Sequence, residues 1–201
     1  MAKKALKIVL IILGVIALAA AALVLWLSLT EYKPEDVTVV KVAESSDLES
    51  KQPAIGDEIS VVSWNIGYAG LGKGSDFFMD GGTNVSSADK DTVSSYLDGI
   101  YNTLYSGEDS ASIFMLQEVD KNSKRTYGTD ETARLGIYNS TYALNYSCNF
   151  VPFPLPPIGR VNSGLLTTTV FDIDSAERLS LPCPFNWPVS TANLKRCLLV
   201  S

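Results

Sequence analysis

The sequence predicts a mixed α/β (α+β) domain carried behind a single transmembrane helix. Three features predict it: an uncharged apolar run near the N-terminus, an apolar strand–helix–strand succession after residue 58, and a second half of short β-branched stretches broken by prolines. A folded domain is expected, because 46% of the 201 residues are hydrophobic and 19% are charged, too apolar a balance for a disordered chain.

From Ile8 to Thr30, 23 consecutive residues carry no charge. As a helix they span roughly 34 Å, enough to cross a hydrocarbon core. Lys3, Lys4 and Lys7 precede the run, and Glu31, Glu35 and Asp36 follow it. The positive-inside rule then puts residues 1–7 in the cytoplasm and the rest of the chain outside the cell membrane, as a single-pass protein. A cleavable signal peptide shares the basic start. The run, however, continues through Leu23–Leu27 beyond the small residues Ala19–Ala22, with no clean cleavage site after it, so an uncleaved signal anchor is the preferred reading. Residues 31–57 are charged, contain serines and carry Pro34 and Pro53. They read as a stalk that holds the domain, residues 58–201, clear of the bilayer.

Ile59, Val61 and Val62 lead into Trp64 and Ile66, a buried strand by composition, and the Gly-rich stretch 67–82 breaks it. After Ser87, Val93, Leu97, Ile100 and Leu104 recur at helical spacing on one face, with Gly107 as the expected stop. Ser112–Leu116 is a second buried strand. This order predicts two neighbouring strands joined by a crossover helix, with their C-terminal ends side by side. A polar loop to Gly128, a short helix at 129–135 and a strand at 141–150 follow. The stretch 151–160, with Pro152, Pro154, Pro156 and Pro157, reads as an extended surface loop. Strands are expected at 164–171, 176–181 and 194–201, the last two joined by the loop 182–188. Leu198–Ser201 reads as the first half of a buried strand with no cap after it, as in a truncated domain.

The net charge of −6 argues against broad binding of polyanions, so phosphate chemistry here would need a cation. Cys148, Cys183 and Cys197 have no short ligand spacing, and the chain has no histidine to complete a site, which argues against a structural zinc. They are read as buried small hydrophobes. Asn65 and Glu118 draw notice because each sets a metal-capable oxygen at the end of a buried strand, and a hard divalent cation takes carboxylate, amide and water oxygens. Arg125 and Tyr127 follow in a polar loop, where a solvated surface and contact with a substrate phosphate are equal readings. Asn162 and Ser163 lie between the proline loop and the next strand, where a turn is the competing reading. Trp187, among Pro184, Phe185 and Pro188, is either a lipid- or substrate-facing tip or the packing of a long loop.

Four stretches, Val61–Ile66 (VVSWNI), Ile113–Asp120 (IFMLQEVD), Asn162–Leu166 (NSGLL) and Lys195–Val200 (KRCLLV), together resemble the endonuclease/exonuclease/phosphatase (DNase I-like) superfamily. The resemblance implies part of a four-layer αββα sandwich and a magnesium-dependent phosphoesterase, with manganese as an alternative ion. It implies that Glu118 is the carboxylate metal ligand and that Asn65 positions the metal and the scissile phosphate. Asn162 and Ser163 would border the substrate groove. The family pattern continues with Asn-x-His-Leu, Gly-Asp-x-Asn and Ser-Asp-His motifs, and none occurs here. Thr167–Ile173 also departs from the Ser-Arg-x-x-Pro-Ile run of many members. The 201 residues are therefore expected to be an inactive fragment of a membrane-anchored phosphoester hydrolase. Its substrate would be a lipid headgroup, a nucleic acid or a small phosphoester, and no protein partner is evident. The alternative is a non-catalytic, membrane-tethered binding or scaffold domain derived from the same fold.

Overall fold

The computed structural model describes residues 2–78, 81–86, 89–106 and 111–201. The expected helix stop at Gly107 lies outside them. The chain forms an α+β fold preceded by one long apolar helix, α1 (Ala2–Leu29), the one helix among the described residues long and apolar enough to span a membrane.

A five-stranded sheet in the order β2-β5-β6-β4-β3 is the centre of the fold: β2 (Val42–Ala43), β3 (Val61–Asn65), β4 (Ile113–Asp120), β5 (Asn139–Val151) and β6 (Gly159–Thr169). As the strand–helix–strand order predicts, β3 and β4 run parallel, and Asn65 stands opposite Gln117. The crossover is α2 (Lys90–Tyr105), whose start is fixed by Asp89, its side chain accepting the Thr92 N–H at 2.7 Å. All four periodic positions of α2, Val93, Leu97, Ile100 and Leu104, are buried against Phe114, Leu116 and Leu166 of the sheet. Burying each such side chain contributes about 1.5–3 kcal/mol before conformational entropy is charged against it. The helix α3 (Glu131–Leu135) opens on an Asp130 cap and closes the same core with Leu135.

The longest pairing, β5 with β6, depends on Gly164. A Cβ there would collide with the Ala143 carbonyl oxygen and stand 2.7 Å from the Tyr142 ring, and backbone on a neighbouring strand has little room to give. Gly164→Ala is expected to lower stability by about 1–3 kcal/mol, read as a shifted urea midpoint. An unchanged midpoint would mean that β5 and β6 part there without cost.

A three-stranded sheet, β1-β7-β8, is built from β1 (Val37–Val39), β7 (Glu177–Ser180) and β8 (Cys197–Val200). It meets the large sheet at β5, where Arg178 donates to the Leu144 carbonyl at 3.0 Å and the Asn145 side chain accepts the Cys197 N–H at 2.8 Å.

Three expectations are corrected. Residues 31–57 are not a free stalk: β1 pairs with β7, β2 pairs with β5, and Glu31 takes a 2.6 Å ion pair from Lys195. Nor does the domain stand clear of the helix, since Leu27 is buried with Cys148, Val151 and Val161. Finally, Cys183 is exposed, while Cys148 and Cys197 are buried and all three are free thiols.

Strand polarity gives the sheet two distinct ends. β6 starts at Gly159 beside α1, and β4, antiparallel to it, finishes at the same end, with Asp120 opposite Ser163. The parallel β3 finishes there too.

Candidate functional site

Both strand ends are shaped by unusual backbone. After β3, the Asn65 side-chain oxygen accepts the Gly67 N–H at 3.0 Å, and Gly67, Tyr68 and Ala69 follow with φ of 56°, 44° and 46°. In β4 the register against β6 shifts between Leu116 and Val119, and Glu118, inside this bulge, has φ 55°. A bulge breaks the alternation of side chains and re-aims the residue it carries.

Among the described residues, the non-glycine positions with positive φ are Tyr68, Ala69, Glu118, Asn122 and Tyr127. All of them follow the end of β3 or lie at or beyond the β4 bulge. Each costs about 1–2 kcal/mol in an L-residue, and such strain persists only where the surroundings enforce it, which is commonly at a functional site.

The structure brings Asn65 and Glu118 to one cavity of about 680 Å³ between the sheet and α2. Its floor is Trp64 and Ile66, and Tyr96, Gly99 and Thr103 of α2 form a wall. Glu118 is the carboxylate among the lining residues. Among the described residues no three His, Cys, Asp or Glu side chains gather to chelate an ion. The donor set fits an ion held through one carboxylate, with water and substrate oxygens completing its shell, as magnesium commonly is. The Asn65 oxygen spends one of its two lone pairs on the Gly67 N–H, which fixes the side chain and leaves the second lone pair and the amide nitrogen for a ligand.

Arg125 has a different place from the one its sequence position suggests. Its Nε and Nη2 donate to the two oxygens of Asp120, each at 2.8 Å, and its guanidinium carbon lies 3.6 Å from the centre of the Tyr68 ring. Burial works against its charge, but the Asp120 carboxylate outweighs that and raises its pKa. The group is thus a clamp that ties the turn after β3 to the end of β4. Tyr127 is exposed on the same loop and lines neither this cavity nor the one at Asn162.

Asn162 and Ser163 are strand residues, not a turn, because β6 begins directly after the proline loop. The Asn162 side chain accepts from the Ser147 hydroxyl at 2.8 Å and lines a separate cavity of about 490 Å³ with Lys121, Asn122 and Arg178. Ser163 is buried opposite Asp120. Of the six predicted residues, Asn65 and Glu118 are the two that line one cavity.

Behind Asp120 stands a residue that sequence reasoning missed. Glu131, fully buried, accepts the Asp120 N–H through Oε2 at 2.7 Å, while its Oε1 has no partner. Burial, and then the Asp120 charge, push its pKa up to about 9, so it is protonated at neutral pH. A capping aspartate followed by glutamate is ordinary first-turn chemistry, and nothing local marks Glu131 as a core acid. Comparison with family models, with curated proteins and with solved structures returns no match for this chain.

Proposed function

We propose that the chain is part of a membrane-anchored, metal-dependent phosphoester hydrolase acting outside the cytoplasm, with α1 as an uncleaved anchor. The observation that carries this reading is Glu118, held in a strained bulge beside Asn65 at the ends of two adjacent parallel strands. The sequence resemblance adds the phosphoesterase class, the DNase I-like sandwich and the magnesium, with manganese able to replace it.

Glu118 would hold the ion. When bound, magnesium would supply Lewis-acid neutralisation of charge on the phosphate. Asn65, its oxygen fixed by the Gly67 N–H, would donate from its amide nitrogen to a phosphate oxygen. The Arg125–Asp120 clamp would keep the two strand ends in register, since small misplacements at a reacting centre are costly. The groups that would orient water and stabilise the phosphate belong to motifs this sequence lacks, so the 201-residue chain is expected to be inactive by itself.

Manganese binding to the purified chain tests the metal role directly. Glu118→Gln keeps the shape and is expected to weaken binding by about tenfold or more, whereas unchanged binding would remove Glu118 from the site. A polypeptide extended with the missing motifs should hydrolyse a generic phosphodiester, and Glu118→Gln should abolish that. Chelator-sensitive hydrolysis by the 201 residues alone would show that the site is already complete. A second reading, a non-catalytic scaffold, is favoured by the absence of histidine from the sequence. It would be upheld if the extended polypeptide stayed inactive.

A further inference from the structure

We propose that the two proline-rich loops, 152–157 and 182–189, form a second membrane contact, inserting apolar side chains into the lipid interface around the exit of α1. The inference rests on reading α1 as a membrane anchor.

The depth of the contact follows from helix length. A hydrocarbon core of about 30 Å takes about 20 helical residues, which counted from Ile8 end near Leu27. Leu23 and Leu27 therefore lie at the outer edge of the bilayer, and both pack on the domain, in a cluster with Phe150, Val151 and Ile158. Val151 and Ile158 bracket the first loop, which must then sit at lipid level. The second loop reaches the same turn of α1: the Trp187 indole N–H donates to the Ser28 hydroxyl at 2.9 Å.

What these loops expose is apolar. Phe153 is 72% exposed, Leu155 82% and Trp187 66%, and Phe185 and Val189 are exposed beside them. In water such a group is unfavourable, whereas at the boundary of headgroups and acyl chains it is buried, with the indole suited to that depth. The backbone agrees. Pro152, Pro154, Pro156 and Pro157 have no N–H, so the first loop brings few unpaired donors into a medium that cannot satisfy them.

The experiment uses the full chain with Cys183→Ser, which removes the exposed thiol, reconstituted in phosphatidylcholine vesicles. A cysteine introduced at one position at a time, Leu13, Phe153, Leu155, Val189 or Ile55, carries a nitroxide, with the buried Cys148 and Cys197 replaced by alanine, and its collisions with oxygen and with a water-soluble nickel complex are compared. Leu13 reports the anchor, and Ile55 is an exposed residue at the opposite end of the sheet. Labels at 153, 155 and 189 are expected to favour oxygen severalfold over the label at 55. A water-like label on either loop, with the label at 13 in lipid, overturns the contact and leaves the anchor standing. A water-like label at 13 as well overturns the anchor reading itself. Oxygen preference at 55 equal to that at the loops also overturns the contact, since lipid access would then not be confined to this end.

Discussion

Arg125→Ala is expected to destabilise the domain by about 3–5 kcal/mol, the cost of leaving a buried charge without its partner. Asp120 is fully buried, and both of its oxygens are satisfied by the Arg125 fork. With the fork gone, the carboxylate must take up a proton or drag the strand end toward water. The Tyr68 ring also loses the cation stacked on it, which loosens the strained turn after β3. Urea unfolding followed by tryptophan fluorescence measures the change. Adding Asp120→Asn should recover part of the loss, because it removes the unpaired charge. A loss below about 1 kcal/mol, the scale of an exposed pair, would return Arg125 to the role of a solvated loop residue free to meet a phosphate.

Glu131→Gln is expected to stabilise the protein by about 2–4 kcal/mol at pH 8 and to leave it nearly unchanged at pH 5. The sign follows from proton binding. In the folded chain the Glu131 pKa stands at about 9 against an ordinary value of 4.5, so between these pH values the native state holds a proton that the unfolded state has lost. Stability therefore falls as pH rises through this window. Glutamine keeps the acceptor for the Asp120 N–H and never ionises, so the slope should disappear. At pH 5 both side chains present a donor at the partnerless Oε1 position, and the difference closes. Unfolding curves for the two proteins at pH 5, 6.5 and 8 decide the matter, and equal slopes would show that Glu131 is ionised in the fold.

How far the sequence could be read depended on the range of the interactions involved. The β3–α2–β4 unit was legible because its signals are local: β-branched runs for the strands and Val93, Leu97, Ile100 and Leu104 for the helix face. β1 and β2 were not, because each is two or three residues long and finds its partner far along the chain, Val37 opposite Leu179 and Val42 opposite Thr141. The position of Glu118 could be read from the motif, but its bulge could not, since that depends on the register β4 takes against β6. The pairing of Arg125 with Asp120 is not legible in the sequence, because no spacing rule reveals that Asp120 will be buried. The prolines before Asn162 and Ser163 suggest a turn there, whereas the strand begins at Gly159 because its partner β5 continues to Val151.

For the hydrolase proposed above, the polarity of the large sheet would have a kinetic consequence. β3 and β4 finish at the end where Val161 packs on Leu27, and β4 is adjacent to β6 in the sheet, one strand spacing or roughly 5 Å away, with β3 one spacing further. With α1 in a bilayer, Glu118 would lie near the lipid surface. A phosphoester borne by a lipid would then arrive by lateral diffusion, and turnover would follow its mole fraction in the leaflet, falling on dilution with inert lipid at constant bulk concentration. A soluble polymer would instead have to enter between the domain and the headgroups.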